Sequence, residues 1–314
     1  MSPEVVTIGE AMLRLWVPAG YRLEDAPAFQ VSIAGAEANV AMAIARMGRE
    51  VAWISRLPDS PLGKRASRAI GGCGVDVSHV TWTDDMRMGT YFVELSVPPR
   101  PTRVIYDRAG SAASAMSITD IPWEVVEAAR LVHITGITPA LSSSCRDIAR
   151  EVARRARALS VDVNYRSQLW SPHEAHTELT ALCSMADVII VTREDARDVF
   201  ALEGPPTEVL ARLRDLTGAP NLILTLGSDG AAWLANDSPG SLAAFDGHVL
   251  DRIGAGDAFA AGALLGFLDG DLPMGIKRGL AMAALTVGMY GDQLWADPAD
   301  VDRVLRGTTR EVSR

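Results

Sequence analysis

Apolar segments of strand type alternate with segments of helical periodicity along most of the chain. The predicted strands are Val5–Ile8, Val51–Ile54, Leu131–Thr135, Val161–Asn164, Val188–Thr192 and Leu222–Leu226. The predicted helices between them are Glu37–Met47, Leu62–Ile70, Ser142–Leu159, His173–Met185 and Thr207–Leu216. Such alternation predicts βαβ units and a mainly parallel sheet. Several strands are apolar at consecutive positions, which indicates an α/β fold whose central sheet carries helices on both faces.

One region departs from this alternation. The segments Thr90–Val97 and Thr102–Tyr106 are both of strand type and are joined by the stretch PPRP, which predicts an antiparallel pair. Together with Met12–Ile33, which lacks helical periodicity, they predict a small inserted β-sheet built from about residues 12–33 and 87–108. We expect this sheet to form a lid over the carboxyl edge of the main sheet. Since neither a linker nor a repeat divides the sequence, residues 1–314 are expected to form a single domain.

Composition and charge indicate a globular protein with a small-molecule partner. The chain has 314 residues, of which 48% are hydrophobic and 22% charged, so it can bury a sizeable core. Its formal net charge is −9 and it has no long run of Lys or Arg. Because nucleic-acid affinity is built mainly from clustered cations, we expect no nucleic-acid partner.

The sequence also favours a soluble, cytoplasmic protein. Its longest apolar runs, Ala258–Leu268 and Leu280–Tyr290, are about half of the roughly 20 residues that a membrane-spanning helix needs, so no membrane partner is expected. The N-terminus has no basic leader followed by an apolar core. The three cysteines are widely spaced and form no CxxC pair, which fits a reducing compartment.

A glycine-rich segment marks a junction between strand and helix. Asp251–Gly262 reads DRIGAGDAFAAG, and the predicted helices Gly256–Leu268, Pro273–Tyr290 and Pro298–Arg306 follow. At the start of a helix, the amides of Gly254, Ala255 and Gly256 are free to bind an anion such as phosphate. Asp257 lies in the first turn, where the helix dipole favours an ionised carboxylate. A carboxylate base beside an anion site is what a phosphoryl-transfer enzyme needs.

Taken alone, the same segment could be only a tight turn with a helix cap. Two nucleotide-binding motifs are excluded by their spacing. GxGxxG would need glycine in place of Phe259, and the pair Gly63-Lys64 is followed by Arg65 and has Pro58 where the Walker loop needs its first glycine.

Two segments together resemble the signatures of the ribokinase-like (PfkB) carbohydrate kinases. DRIGAGDAFAAG is similar to the second signature at every fixed position, and Ala34–Gly48, AGAEANVAMAIARMG, is similar to the first. The resemblance covers essentially the whole chain. It implies a three-layer α/β/α fold, with Asp257 as catalytic base and Gly254, Ala255 and Gly256 as the anion hole. It also implies ATP and Mg²⁺, with a monovalent cation possible. The nucleotide-binding residues that it implies are Asn164, Thr225, Gly227, Gly230, Gly254 and Gly256.

One departure from the family concerns magnesium. Related kinases often carry N-x-x-E after the strand that ends near Val191, whereas this chain reads Thr192-Arg193-Glu194-Asp195. By resemblance Asp195 could hold a hydrated Mg²⁺ through water. The alternative is that Glu194 and Asp195 are solvated acids in the first turn of a helix.

Arginines near two predicted strand ends favour an acidic acceptor. Arg108 and Arg166 could together pair a carboxylate, and the carboxyl ends of strands gather at one crevice. The stretches GAE, YDR, TGITPAL and DVNYRSQLW look like those of 2-keto-3-deoxygluconate kinases within the family. These enzymes phosphorylate the terminal hydroxyl of the sugar acid to give 2-keto-3-deoxy-6-phosphogluconate. The acceptor-binding residues implied are Gly35, Asn39, Tyr91, Tyr106, Arg108, Arg166 and Asp292.

Other functions remain open at this stage. Asp107 stands where relatives often have an aromatic residue, which could retune the acceptor. The alternatives are a kinase acting on fructose, ribose or a nucleoside, and a non-catalytic sugar-binding regulator. By resemblance we also expect a homo-oligomer formed through the lid sheet.

Overall fold

The computed structural model describes residues 3–97 and 99–307. Residues 1, 2, 98 and 308–314, which the predicted single domain includes, lie outside the described residues. The strands are β1 (Val5–Ile8), β2 (Met12–Val17), β3 (Gln30–Ala34), β4 (Val51–Pro58), β5 (Val80–Thr83), β6 (Gly89–Glu94), β7 (Arg103–Asp107), β8 (Leu131–Thr135), β9 (Leu159–Asp162), β10 (Val188–Thr192), β11 (Asn221–Thr225), β12 (Ala231–Ala235) and β13 (Ser238–Leu242).

Helices connect the strands and cover both faces of the main sheet. They are α1 (Ala36–Arg46), α2 (Pro61–Gly71), α3 (Trp123–Ala128), α4 (Ile137–Leu141), α5 (Ser143–Arg155), α6 (Pro172–Cys183), α7 (Arg193–Phe200), α8 (Pro206–Thr217), α9 (Ala255–Leu268), α10 (Leu272–Val287) and α11 (Pro298–Leu305). Consecutive strand residues enter opposite cores: Val5 packs on the side of α1, α9 and α10, and Val6 on the side of α5, α6 and α8. The predicted three-layer α/β/α architecture is therefore confirmed.

The main sheet has nine strands in the order β13-β12-β11-β10-β9-β8-β1-β4-β5. Pairing is parallel from β11 to β5, and β12 and β13 add antiparallel partners at one edge. From β1 the chain builds outward to β4 and β5, and then returns to the other side of β1 with β8. A reversal of this kind opens a crevice at the carboxyl ends of the strands, where ligands of open α/β sheets bind.

A second, small sheet has four strands in the order β3-β2-β6-β7. It consists of two antiparallel pairs, β2 with β3 and β6 with β7, which are joined by a parallel pairing of β2 with β6. Side chains alternate between its two faces. One row across the sheet is Ser32, Arg14, Tyr91 and Tyr106, and the neighbouring row on the opposite face is Val31, Leu15, Phe92 and Ile105.

The prediction was wrong at the junction between Ser142 and Asn164. A helix was expected to reach Leu159, but α5 ends at Arg155 because Ala156 has an extended backbone, with φ −61° and ψ 140°. Leu159 instead begins β9, where it pairs beside Val132. The predicted strand was therefore placed two residues too late, and Asn164 lies beyond the strand rather than in it.

Strands β5 and β13 were not predicted. The sequence of β13 contains Pro239, which lacks a backbone donor and argues against a strand. It is tolerated here because β13 lies at the edge of the sheet. None of the described helices combines the length and the apolar character needed to span a membrane.

Candidate active site

A cleft of about 470 Å³ lies between the carboxyl edge of the main sheet and the small sheet. It brings together most of the residues that were predicted to bind ligands. Those among its lining are Gly35, Asn39, Tyr91, Tyr106, Arg108, Asn164, Arg166, Asp195, Gly254, Gly256, Asp257 and Asp292. The small sheet contributes Met12, Tyr91, Val104 and Tyr106, so one of its faces forms a wall of the cleft.

The start of α9 forms one end of the cleft. Gly254 precedes the helix with a left-handed φ of 88°, and a Cβ there would lie 2.0 Å from the main-chain oxygen of Asp292. Glycine is therefore required at this turn by the protein itself. Gly256 differs, because a Cβ at this helical position would meet nothing within 4 Å. The space beside Gly256 leaves the amides of the first turn open to the cleft.

Asp257 lies in that first turn, and its Oδ2 accepts a hydrogen bond of 2.7 Å from Nδ2 of Asn39. Burial raises the pKa of Asp257 to about 7, although the bond from Asn39 acts in the opposite direction. The sequence had suggested that the helix dipole would keep this carboxylate ionised. Desolvation is the largest effect on the pKa of Asp257, which therefore titrates near neutral pH, as suits a general base.

Asp162 and Asp195 are two further carboxylates in the cleft, and both are more than nine-tenths buried. Asp195 follows β10, where the hydroxyl of Thr192 accepts a 2.9 Å bond from its backbone amide. Burial raises the pKa of Asp195 to about 6 and that of Asp162 well above its usual range. Asp195 is thus not a solvated helix acid, whereas Glu194 is exposed.

The two predicted arginines have different surroundings. Arg108 is buried, with Nε 2.9 Å and Nη2 2.5 Å from Oε2 of Glu10, and Ser111 donates a 2.6 Å bond to the other carboxylate oxygen. Its charge is therefore already compensated. Arg166 is exposed to the cleft, and within residues 3–97 and 99–307 it lies in no ion pair. Sequence reasoning did not find Glu10, because it is 98 residues from Arg108 in the chain.

A buried ion cluster adjoins the cleft and was also missed. Arg14 of β2 binds the carboxylates of Asp251 and Asp292, and all three side chains are almost completely buried. The hydroxyl of Tyr91 donates a 2.5 Å bond to Oδ2 of Asp292. Asp292 and Tyr91, which were predicted to contact the acceptor, are thus bound to each other.

Glu37 is another buried acid that the sequence left without a role. Its Oε1 accepts bonds from the backbone amide of Thr135 (3.1 Å) and from the hydroxyls of Thr135 (2.7 Å) and Thr138 (2.8 Å). Burial raises its pKa. These bonds fix the start of α1, and hence Asn39, to the carboxyl end of β8.

The predicted nucleotide residues lie partly outside the cleft. Thr225 ends β11 beside Thr192, and Gly227 and Gly230 form the turn into β12 with φ of 61° and 101°. The turn joins β11 and β12 as an antiparallel hairpin, and it lies farther along the sheet edge than the cleft. Asn164 lines the cleft with a left-handed φ of 37°, a conformation that asparagine tolerates better than most residues.

Arg252 is a cleft residue that was overlooked, although it lies within the signature segment. Its side chain is exposed and lines the cleft beside Gly254. The described residues include no group of three or more His, Cys, Asp or Glu side chains suited to a metal ion.

The cleft of this α/β protein thus contains a helix N-terminus with open amides and a carboxylate in its first turn. The chain matches the pfkB family of carbohydrate kinases over residues 2–299. It is 37% identical to a 2-dehydro-3-deoxygalactonokinase of Haloferax volcanii, over 100% of both chains. It is 31% identical to a 2-dehydro-3-deoxygluconokinase of Bacillus subtilis, covering 93% of this chain and 92% of the relative.

A solved structure agrees over the same length. The 2-dehydro-3-deoxygluconokinase from Thermotoga maritima has a TM-score of 0.90 and 29% identity, covering 98% of this chain and 99% of that one. The chain belongs to the pfkB family of carbohydrate kinases. It is a sugar kinase with the ribokinase-like fold.

Proposed function

We propose that this kinase transfers phosphate from ATP to the terminal hydroxyl of a six-carbon 2-keto-3-deoxy sugar acid. The single observation that carries the chemistry is the position of Asp257 in the first turn of α9, beside the open space at Gly256. In that position a carboxylate can take the proton from an attacking hydroxyl. The amides of Gly254, Ala255 and Gly256 would then stabilise the charge on the transferred phosphoryl group.

Arg166 supports an acidic acceptor. It is exposed to the cleft and lies in no ion pair among the described residues, whereas Arg108 is paired with Glu10. A carboxylate of the acceptor would pair with Arg166, and Tyr106 and Arg108 would contact the acceptor in the same cleft. The relatives named for 2-dehydro-3-deoxygalactonate and 2-dehydro-3-deoxygluconate favour this class of acceptor, whose two members differ only in the configuration at C4.

Asp162 and Asp195 fit a hydrated Mg²⁺ that accompanies the nucleotide. Both carboxylates are buried, line the cleft, and lie in no ion pair within the described part of the chain. Burial of charged carboxylates is costly, and Arg166 offsets this only in part, so a divalent ion would stabilise their charged forms. When bound, Mg²⁺ would neutralise phosphate charge. Thr225, Gly227 and Gly230 would border the nucleotide farther along the sheet edge.

We further propose a homo-oligomer formed through the outer face of the small sheet. Val31, Leu15, Phe92 and Ile105 form an apolar row on this face, away from the cleft. Val31 is 41% exposed and Ile105 is 46% exposed. Covering these side chains with a second copy would remove apolar surface from water.

An ADP-release assay tests the reaction and the acceptor together. The panel is 2-keto-3-deoxygluconate, 2-keto-3-deoxygalactonate, fructose, ribose and adenosine, each with and without Mg²⁺. We expect one or both acids to give the highest kcat/KM. A higher value for fructose, ribose or adenosine would overturn the acceptor. Binding of a sugar acid without ADP release would overturn catalysis and favour a sugar-binding regulator.

A further inference from the structure

Arg14 is a buried cation whose position no acceptor or nucleotide contact explains. It lies on β2 within the stretch MLRLW, and its side chain has no solvent exposure. Its two terminal nitrogens bind different carboxylates, those of Asp251 and Asp292. These partners are 237 and 278 residues away in the sequence. The planar fork of arginine can hold two carboxylates at once, which the single ammonium of lysine does less well.

Both partners of Arg14 belong to the loops that shape the turn before α9. Asp251 accepts bonds of 3.1 Å from the amide of Ile253 and 3.1 Å from the amide of Gly291. The main-chain oxygen of Asp292 lies so close to Gly254 that a Cβ there would be 2.0 Å away. Arg14 thus joins the two segments that together fix the backbone of the anion site.

Arg14 also belongs to the acceptor-facing row of the small sheet. It pairs directly with Tyr91 in the parallel β2–β6 ladder, and Tyr91 pairs with Tyr106. The rings of Tyr91 and Tyr106 stack with centroids 5.6 Å apart. Because the hydroxyl of Tyr91 bonds to Asp292, the guanidinium, the tyrosine pair and the turn of α9 form one connected unit.

We propose that Arg14 is a positioning residue that holds the acceptor-binding wall of the small sheet in register with the anion site of α9. This inference rests on the proposed function of Asp257 and the Gly254–Gly256 amides. Stability alone is a weak reason for such a residue, since a buried ion pair can often be replaced by apolar side chains without loss of stability. Geometry is a stronger reason, because a displacement of about 1 Å at a reacting group can cost about 10²-fold in rate.

The first test compares Arg14→Lys and Arg14→Ala with the wild-type protein by steady-state kinetics. We expect kcat to fall and the acceptor KM to rise, with kcat/KM for the acceptor lower by about 10²-fold in Arg14→Ala. The lysine variant should lie between Arg14→Ala and the wild type. The KM for ATP should stay unchanged, because Thr225, Gly227 and Gly230 lie away from the small sheet. A loss confined to the KM for ATP would overturn the proposal.

Arg49→Met is the matched control. Arg49 also bridges two carboxylates, with bonds to Glu4 (2.6 and 2.7 Å) and Asp269 (2.8 Å), and none of these residues lines the cleft. We expect this variant to have a lower Tm and wild-type kinetic constants. If Arg14→Lys behaves in the same way, Arg14 is only structural and the proposal fails. Should Arg14→Ala not fold, Arg14→Lys alone decides.

Chemical rescue separates positioning from general damage. In Arg14→Ala, millimolar guanidinium chloride should restore part of the lost kcat/KM by occupying the space between Asp251 and Asp292. Urea has a similar planar shape but no charge, and it should restore nothing. Equal effects of guanidinium and urea, or no effect of either, would count against the proposal. Failure of the proposed function itself would instead appear as a wild-type protein that phosphorylates no sugar acid.

Discussion

Asn39 donates a 2.7 Å hydrogen bond to the carboxylate of Asp257, and this bond joins α1 to α9 at the candidate reacting group. A bond donated to the charged form of an acid lowers its pKa, yet burial dominates and the pKa of Asp257 rises to about 7. The two effects oppose each other, so the ionisation of Asp257 depends on both.

The first prediction concerns pH. Because only the ionised carboxylate can accept a proton, kcat/KM for the acceptor should fall as the pH falls through about 7. Asn39→Ala removes a bond that lowers the pKa, so its acidic limb should lie at higher pH than that of the wild type. Initial rates measured across the pH range give the acidic limb of the wild type and that of Asn39→Ala. An acidic limb near the ordinary aspartate value of about 4 would contradict the assignment.

The second prediction concerns Asp257→Asn. Loss of the base should lower kcat by about 10²- to 10⁴-fold, with acceptor binding retained in calorimetry. The pKa of Asp257 is raised on folding, so this group lowers stability progressively as the pH rises from its ordinary pKa of about 4 to about 7, and by a constant amount at higher pH. At pH 8 the variant should therefore melt no lower than the wild type. Turnover near the wild-type rate would refute the proposed base.

The third prediction separates two neighbouring glycines. Gly256→Ala should fold normally, because its Cβ meets no atom within 4 Å and alanine is a better helix former. Its methyl group would nevertheless enter the proposed anion site, so kcat/KM should fall by at least about tenfold. Gly254→Ala should instead lower Tm, because of its φ of 88° and the clash with Asp292. Full activity in Gly256→Ala would argue against phosphate binding there.

The fourth prediction concerns the charge of the acceptor. Arg166→Gln should raise the KM for a sugar acid by about 10- to 10²-fold, the loss expected for a hydrogen bond between charged groups. Since the charge of Arg166 also lowers the pKa of Asp257, the comparison is made well above pH 7, where activity on a neutral sugar should change little. Arg155→Gln is a suitable control, since Arg155 is exposed, bonds to Glu151 at 2.6 Å and lies outside the cleft. An equal loss with acidic and neutral acceptors would show that Arg166 does not recognise the carboxylate.

The fifth prediction concerns assembly. Ile105→Asp places a charge in the apolar row on the outer face of the small sheet, where Ile105 is 46% exposed. Analytical ultracentrifugation should then give a smaller species than for the wild type. Trp82→Asp changes a 41% exposed side chain of the main sheet and should leave the mass unchanged. A wild-type protein that is monomeric at all concentrations would contradict the proposal.

Local patterns in the sequence were enough to predict most of the main strands and the start of the helix that carries Asp257. The strands Val5–Ile8, Leu131–Thr135 and Val188–Thr192 were predicted at their observed bounds, because each is a short, mainly apolar run rich in β-branched residues. The segment DRIGAGDAFAAG placed Asp257 at the start of α9, because its glycines precede an apolar run of helical type.

The sequence could not predict which charges are paired or buried, because these depend on residues that are distant in the chain. Arg108 was predicted to pair a carboxylate of the acceptor together with Arg166, but the sequence did not indicate that Glu10 lies beside it in the fold. In the sequence MLRLW, Arg14 has the position of an ordinary strand residue. Its burial depends on ion pairs with Asp251 and Asp292, which are distant in the sequence. The pKa of Asp257 likewise depends on its burial, which only the packed structure defines.

The construction of the small sheet bears on the order in which the molecule folds. Its two hairpins are local, but they meet only where β2 pairs with β6, which brings Met12 beside Gly89. The chain between them contains α1, β4, α2 and β5, which belong to the main sheet. Contacts between distant parts of a chain form slowly, since loop closure precedes any gain from them. In refolding, the core of the main sheet should therefore assemble first. The small sheet should be completed last, when β2, which carries Arg14, pairs with β6.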